Sequence, residues 1–117
     1  MAETLLYQGV AVNPANGMRL RLGFNSETLA GAKTLTPQDA QVQLLHTGGA
    51  HTRVINLPAV GASQGLVFFI KHTHSAGQLD VTDPSAGMTT VSLTTGEWSI
   101  FTCDGTNWSS MGVLTHA

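Results

Sequence analysis

Short β-rich runs separated by turn signals fill most of this chain, and that cadence constrains its fold more than any other feature. Turn signals fall at Gly48-Gly49, Pro58 to Gly65, Ser75-Ala76-Gly77, Asp83 to Gly87, Thr95-Gly96 and Asp104-Gly105. Glycine supplies positive φ at such places, proline presets φ, and Asn and Asp bond their own backbone. Between them lie runs rich in β-branched and aromatic residues: Val42 to Leu45, Val54 to Leu57, Leu66 to His72, Leu79 to Thr82, Thr89 to Leu93, Trp98 to Cys103 and Trp108 to Val113. Many short strands with recurring turns predict an all-β domain, a compact antiparallel β-sandwich or barrel. Thr36-Pro37-Gln38-Asp39 has a helical start, with Thr as N-cap and Pro at the first position. No helical periodicity follows it, so it reads as a turn.

Two of these strands are apolar on both faces. Leu66, Phe68 and Ile70 point one way while Val67 and Phe69 point the other; Trp98 and Ile100 oppose Phe101 and Cys103. An antiparallel sheet usually keeps one face wet, so such strands need a second cover. A loop or arm of the same chain could lie over the outer face. Alternatively, the outer face is a subunit interface, with Val67, Phe69 and Phe101 as its residues, in a homotrimer that also shields exposed strand edges. Phe68 and Trp98 are expected in the core.

Residues 1–31 differ in character and read as an extended N-terminal arm, leaving residues 32–117 as the body. Leu5-Leu6-Tyr7, Val10-Ala11-Val12 and Met18 to Leu22 are short apolar stretches, and Asn13-Pro14-Ala15-Asn16-Gly17 punctuates them as a turn. Met18, Leu20 and Leu22 alternate with Arg19 and Arg21, the period of a half-buried strand. Such a segment needs something to lie against, either the domain's own sheet or a partner.

Composition narrows the function. At 117 residues and 42% hydrophobic, the chain can build one core without a metal or disulfide staple. Only 10% of its residues are charged, against about 25% in an ordinary soluble domain. A surface so neutral is poorly protected against self-association and suits a protein covered by neighbours. The net charge is −2 and the few Lys and Arg are scattered, which argues against nucleic acid and against an anionic membrane surface. Cys103 is alone, so no internal disulfide is available. Met1-Ala2-Glu3 does not open a signal peptide, and the run from Leu66 to Ile70 is too short to span a bilayer. The chain therefore reads as made in the cytoplasm.

The residues that could carry chemistry are sparse. His72 and His74 share a strand face by spacing, and His46 and His51 flank a Gly-Gly turn. Zinc needs three or four converging ligands, and no Cys pair or HExxH accompanies them, so no metal and no cofactor is expected. Asp80, Asp83 and Asp104 are the clustered carboxylates. Paired acids can hydrolyse glycosides and carboxylates can bind calcium, yet Asp83-Pro84-Ser85-Ala86-Gly87 and Asp104-Gly105 read as turns. Cys103 has no nucleophile motif around it. Asn107-Trp108-Ser109 matches a glycosylation sequon but lacks a secretory signal. No catalytic residue is assigned, and the chain is not read as an enzyme.

Several segments resemble a β-module of tailed-bacteriophage virion proteins, above all capsid decoration (cement) proteins and some tail-fibre or spike domains. They are Ile55-Asn56-Leu57-Pro58, Gly65-Leu66-Val67-Phe68-Phe69-Ile70, Gly77-Gln78-Leu79-Asp80-Val81, Gly96-Glu97-Trp98-Ser99-Ile100-Phe101 and Asp104-Gly105-Thr106-Asn107-Trp108. The resemblance implies a jelly-roll-like or β-tulip-like body, trimeric, on the outer capsid surface of a virion and stabilising its head. Its partners would be the major capsid protein and further copies of itself. A chain running from Met1 to Ala117 suits a small, separately made protein of this kind. By the same resemblance, the arm from Met1 to about Leu22 would lie on the major capsid protein or a neighbouring decoration subunit, by adding a strand to a sheet edge; its apolar residues Leu5, Leu6, Tyr7, Val10, Val12, Met18, Leu20 and Leu22 are the candidates for capsid contact. The alternative is a trimeric tail-fibre or receptor-binding module that stacks Trp108 or Tyr7 on sugar rings. A third class is a cupin-like or lyase enzyme using His72 and His74.

Overall fold

The computed structural model describes residues 5–7, 10–13 and 19–115, with side chains from Leu22 onward. It is almost entirely β: thirteen strands and one 3-10 turn at Val60–Ala62, with no α-helix among the described residues. The body strands are β4 (Phe24–Thr28), β5 (Lys33–Thr34), β6 (Val42–His46), β7 (Thr52–Asn56), β8 (Val67–His72), β9 (Gln78–Thr82), β10 (Val91–Leu93), β11 (Glu97–Cys103), β12 (Trp108–Ser110) and β13 (Leu114–Thr115). Every turn signal of the body lies between two of these strands or in the 3-10 connection, and Thr36 to Asp39 is a turn. There Thr36 N donates to Asp39 Oδ2 at 2.7 Å, and Gln38 N to Thr36 Oγ1 at 3.3 Å.

The body forms two sheets, one ordered β12-β11-β8-β6-β4 with β13 also on β11, the other β10-β9-β7-β5. Their pairing corrects the antiparallel expectation. β4, β6 and β8 run parallel in the first sheet, and β5, β7 and β9 run parallel in the second. Only β10, β11, β12 and β13 add antiparallel strands at the far end. The chain therefore winds as a flat coil, each turn carrying it across to the opposite sheet rather than back along its neighbour. Parallel neighbours need a long crossover, commonly a helix; here the crossover is a strand of the facing sheet. The sheets are mixed, and no closed barrel is formed.

One core lies between the sheets. The first contributes Leu45, Phe68, Ile70, Phe101, Cys103 and Trp108, and the second Ile55, Leu79, Val81 and Leu93, all buried. Strand parity puts them there: β8 is buried at Phe68, Ile70 and His72 and half-buried at Val67, Phe69 and Lys71. Phe68 and Trp108 rings sit 5.9 Å apart at 32°, within the range of favourable aromatic pairs. Trp108 Nε1 donates to Pro58 O at 2.8 Å, so the buried indole keeps its hydrogen bond. At the β4/β5 end the lining turns polar. Asn25 Nδ2 donates to Gln43 Oε1 at 2.8 Å, and Lys33 pairs with Glu27 at 2.6 Å across the two sheets. Partly exposed, that ion pair is worth at most about 1 kcal/mol; its position closes an end that no further coil covers.

One boundary shifts. Residues 24–31, read with the arm, belong to the body, since β4 pairs with β6 along its whole length and Leu29 is buried in the core. The residues before them are also not simply extended. β1 (Leu5–Tyr7), β2 (Val10–Asn13) and β3 (Arg19–Arg21) form an antiparallel meander with its own three-stranded sheet. The register of β2 and β3 closes at Asn13 opposite Arg19, and the rest of the Asn13 to Gly17 turn signal lies outside the described residues.

Candidate functional site

The parity that sends Phe68, Ile70 and Phe101 inward sends a second set of apolar residues out of the six-stranded sheet. In register across β4, β6, β8 and β11 stand Phe24, Val42, Phe69 and Ile100. The neighbouring row carries Leu44, Lys71, Trp98 and Leu114. Phe24 is 65% exposed and Leu114 43%, whereas Val42, Leu44, Phe69, Trp98 and Ile100 are half-buried by one another. Between these side chains lies a shallow groove of about 350 Å³, lined by Val42, Leu44, Phe69 and Trp98 with Lys71 beside them. An apolar area running over four adjacent strands differs in kind from scattered exposed hydrophobics and marks an interaction surface.

The expected interface residues divide. Val67 and Phe69 do face outward on this sheet. Phe101 does not: it is 0% exposed and points into the core, because β11 presents Ser99, Phe101 and Cys103 inward. No second chain can reach it without unfolding this one. Trp98, expected in the core, is its mirror image and lies half-buried in the groove. The error was one of phase on a strand apolar on both sides. Phe24, Val42, Leu44 and Ile100 escaped the sequence reading; Val42 and Leu44 alternating with Gln43 and Leu45 was the available signal.

The residues assigned to capsid contact are distributed over the meander. Leu5, Leu6 and Tyr7 form β1, Val10 and Val12 lie in β2, and Leu20 lies in β3. The register places Leu5, Val12 and Leu20 in one row, and Tyr7 opposite Val10. Leu22 is half-buried in the short link to β4. Met18 lies outside the described residues.

The remaining candidates have local duties. Trp108 is 1% exposed and cannot serve as a sugar platform, which corrects that expectation. Asp83 accepts from Ser85 N at 2.9 Å and Gly87 N at 3.2 Å; Asp104 accepts from Thr106 N and Asn107 N, both at 2.8 Å. The Asn107 and Thr106 amides hold the Asp104 carboxyl below its ordinary pKa, as donors to a carboxylate do. Asp80 accepts from Gln78 Nε2 at 2.6 Å and Ser92 Oγ at 2.8 Å on the outer side of the second sheet. His72 is buried in the core and His74 stacks on His46 with ring centroids 3.9 Å apart. Among the described residues, no group of three or more His, Cys, Asp or Glu is placed to hold a metal ion.

The fold and this surface define the class of protein: an all-β, two-sheet sandwich with one dry core and one apolar outer face. No family model and no curated protein matches the sequence. Among solved structures, a chain from one described as "Structure of a chaperone-substrate complex" is similar over 86% of this chain, at 14% identity and a TM-score of 0.48. The match takes up 20% of that chain, and a likeness so slight carries no functional argument.

Proposed function

We propose that this chain is a virion structural protein, a head decoration (cement) protein that binds the outer capsid surface as a homotrimer and stabilises the head. The observation that carries the assembly part is the apolar row Phe24, Val42, Phe69 and Ile100 with its groove, on a chain with few surface charges. A second copy seated there would remove that surface from water, at about 25 cal/mol for each Å² of apolar area. The resemblance of residues 55–108 to phage virion β-modules supplies the virion part. In this reading the major capsid protein is met by the meander, whose Leu5, Val12 and Leu20 share one register row.

Two measurements test the reading. Native mass spectrometry at micromolar concentration should show three chains for the intact protein and one for Phe69→Asp; a monomeric intact protein defeats the assembly claim. Mixing the protein with undecorated heads and sedimenting them should recover it on the particles, and removal of residues 1–22 should abolish recovery while the body stays folded. Equal recovery with and without those residues removes the meander from the capsid contact. Failure of the intact trimer to bind heads, together with retention on a glycan array, selects the tail-fibre alternative.

A further inference from the structure

Three imidazoles, His46, His72 and His74, gather at the end of the sandwich where β6 and β8 stop and β11 begins. His72 is 0% exposed, faces the core, and neither ring nitrogen has a hydrogen-bond partner. A charged ring in that position would lose most of its hydration. Burial accordingly lowers the His72 pKa from its ordinary 6.5, the adjacent His74 ring lowers it further, the His74 backbone opposes that lowering, and His46 adds a smaller lowering. His46 Nδ1 accepts from Gly48 N at 3.0 Å. His74 lies on the His46 ring with centroids 3.9 Å apart.

The same end carries the contacts that seat the β8–β9 turn. Thr73 N donates to Leu45 O and Gln78 N to His51 O, both at 2.9 Å, and Thr47 Oγ1 lies 2.9 Å from Ala76 O. Gly77 fits only as glycine: its φ is +86°, and a Cβ there would sit 2.5 Å from the His51 carbonyl. A cavity of about 360 Å³ between His72, Thr73 and His74 on one side and Thr95 and Gly96 on the other gives water a short path to this seam. The charges around it are few. Glu97 at the start of β11 opposes the lowering at His72 only as the weakest influence, Lys71 stands on the outer face, and Arg53 is occupied with Thr47 O at 3.2 Å.

We propose that this end is an acid-sensitive latch: with His72 neutral, the β8–β9 turn stays seated against β6, and protonation of that buried ring releases it. The sign follows from the closed state binding fewer protons than the open one. Closure is complete above the ordinary histidine pKa of 6.5 and weakens as pH falls below it. One proton taken up on opening makes the open form up to about tenfold more populated at about pH 5.5 than at about pH 7.5, the limit for a ring that takes up no proton while closed.

Amide exchange read by NMR tests this directly, with rates corrected for the intrinsic effect of pH. The Thr73 and Gln78 amides should lose up to about tenfold in protection over that range, while Val81 in the second sheet keeps its own. His72→Leu removes the titrating ring and should flatten the response. Unchanged protection at Thr73 and Gln78, or an undiminished response in the variant, overturns the latch. A second measurement needs no substitution: the His72 ring of the wild-type protein should stay neutral below pH 6.5. Titration of that ring at or above this value overturns the proposal too.

Discussion

The two sheets turn equally dry faces toward each other and unlike faces outward. Outside the four-stranded sheet, polar side chains bond one another across the strands. Thr82 Oγ1 donates to Asn56 Oδ1 at 2.8 Å, Asn56 Nδ2 to Thr34 Oγ1 at 3.4 Å, and Asp80 joins Gln78 to Ser92. Outside the six-stranded sheet, the corresponding positions hold Phe24, Val42, Phe69 and Ile100. Strand alternation is obeyed on both sheets, so the period reports which residues share a face and not whether that face is wet. A face whose polar groups are satisfied by one another and by water needs no cover. An apolar one does, and that asymmetry separates a surface built for solvent from one built for a neighbour.

The sharpest way to break this comparison uses two adjacent phenylalanines. Phe68→Ala should cost about 3–5 kcal/mol in denaturant melts, because a filled position in the core becomes a cavity. Phe69→Ala should cost about 1 kcal/mol in the dilute monomer and more as protein concentration rises, since association stabilises only the folded chain. Equal costs at all concentrations would mean that the outer face has no partner in solution. An effect smaller than that of Phe68→Ala is expected at Trp108. Trp108→Phe keeps most of the ring but leaves Pro58 O without its donor, a loss of about 1–3 kcal/mol that a melt against wild type would measure. The smallest belongs to the polar face. Asp80→Ala removes the acceptor of Gln78 and Ser92 and should cost about 0.5–1.5 kcal/mol, with no change in oligomeric state by light scattering.

Much of the fold was legible before any coordinates. Each β-rich run from Val42 onward became a strand, and the alternation within Leu66 to Ile70 placed Phe68 and Val67 on the correct sides. Phase failed on β11 because Trp98, Ile100 and Phe101 are all bulky and apolar, leaving hydrophobicity unable to choose the inner side. β4 was missed because Phe24-Asn25-Ser26-Glu27-Thr28 is mostly polar; its inward Asn25 and Glu27 close the end of the coil with hydrogen bonds and an ion pair instead of filling a core.

From Val42 onward, sequence by itself determined where the chain breaks between its main strands, because turn chemistry at Gly48-Gly49, Ser75-Ala76-Gly77 and Asp104-Gly105 acts over a few residues of backbone. Tertiary structure alone decided which strands became neighbours. A turn that reverses the chain looks the same in sequence whether the next strand pairs with the last one or crosses to the opposite sheet. The parallel coil β4-β6-β8 facing β5-β7-β9 emerges only when both sheets bury their inner residues against a common core. That choice also set Phe24, Val42, Phe69 and Ile100 side by side across one outer face, although they come from separate parts of the chain.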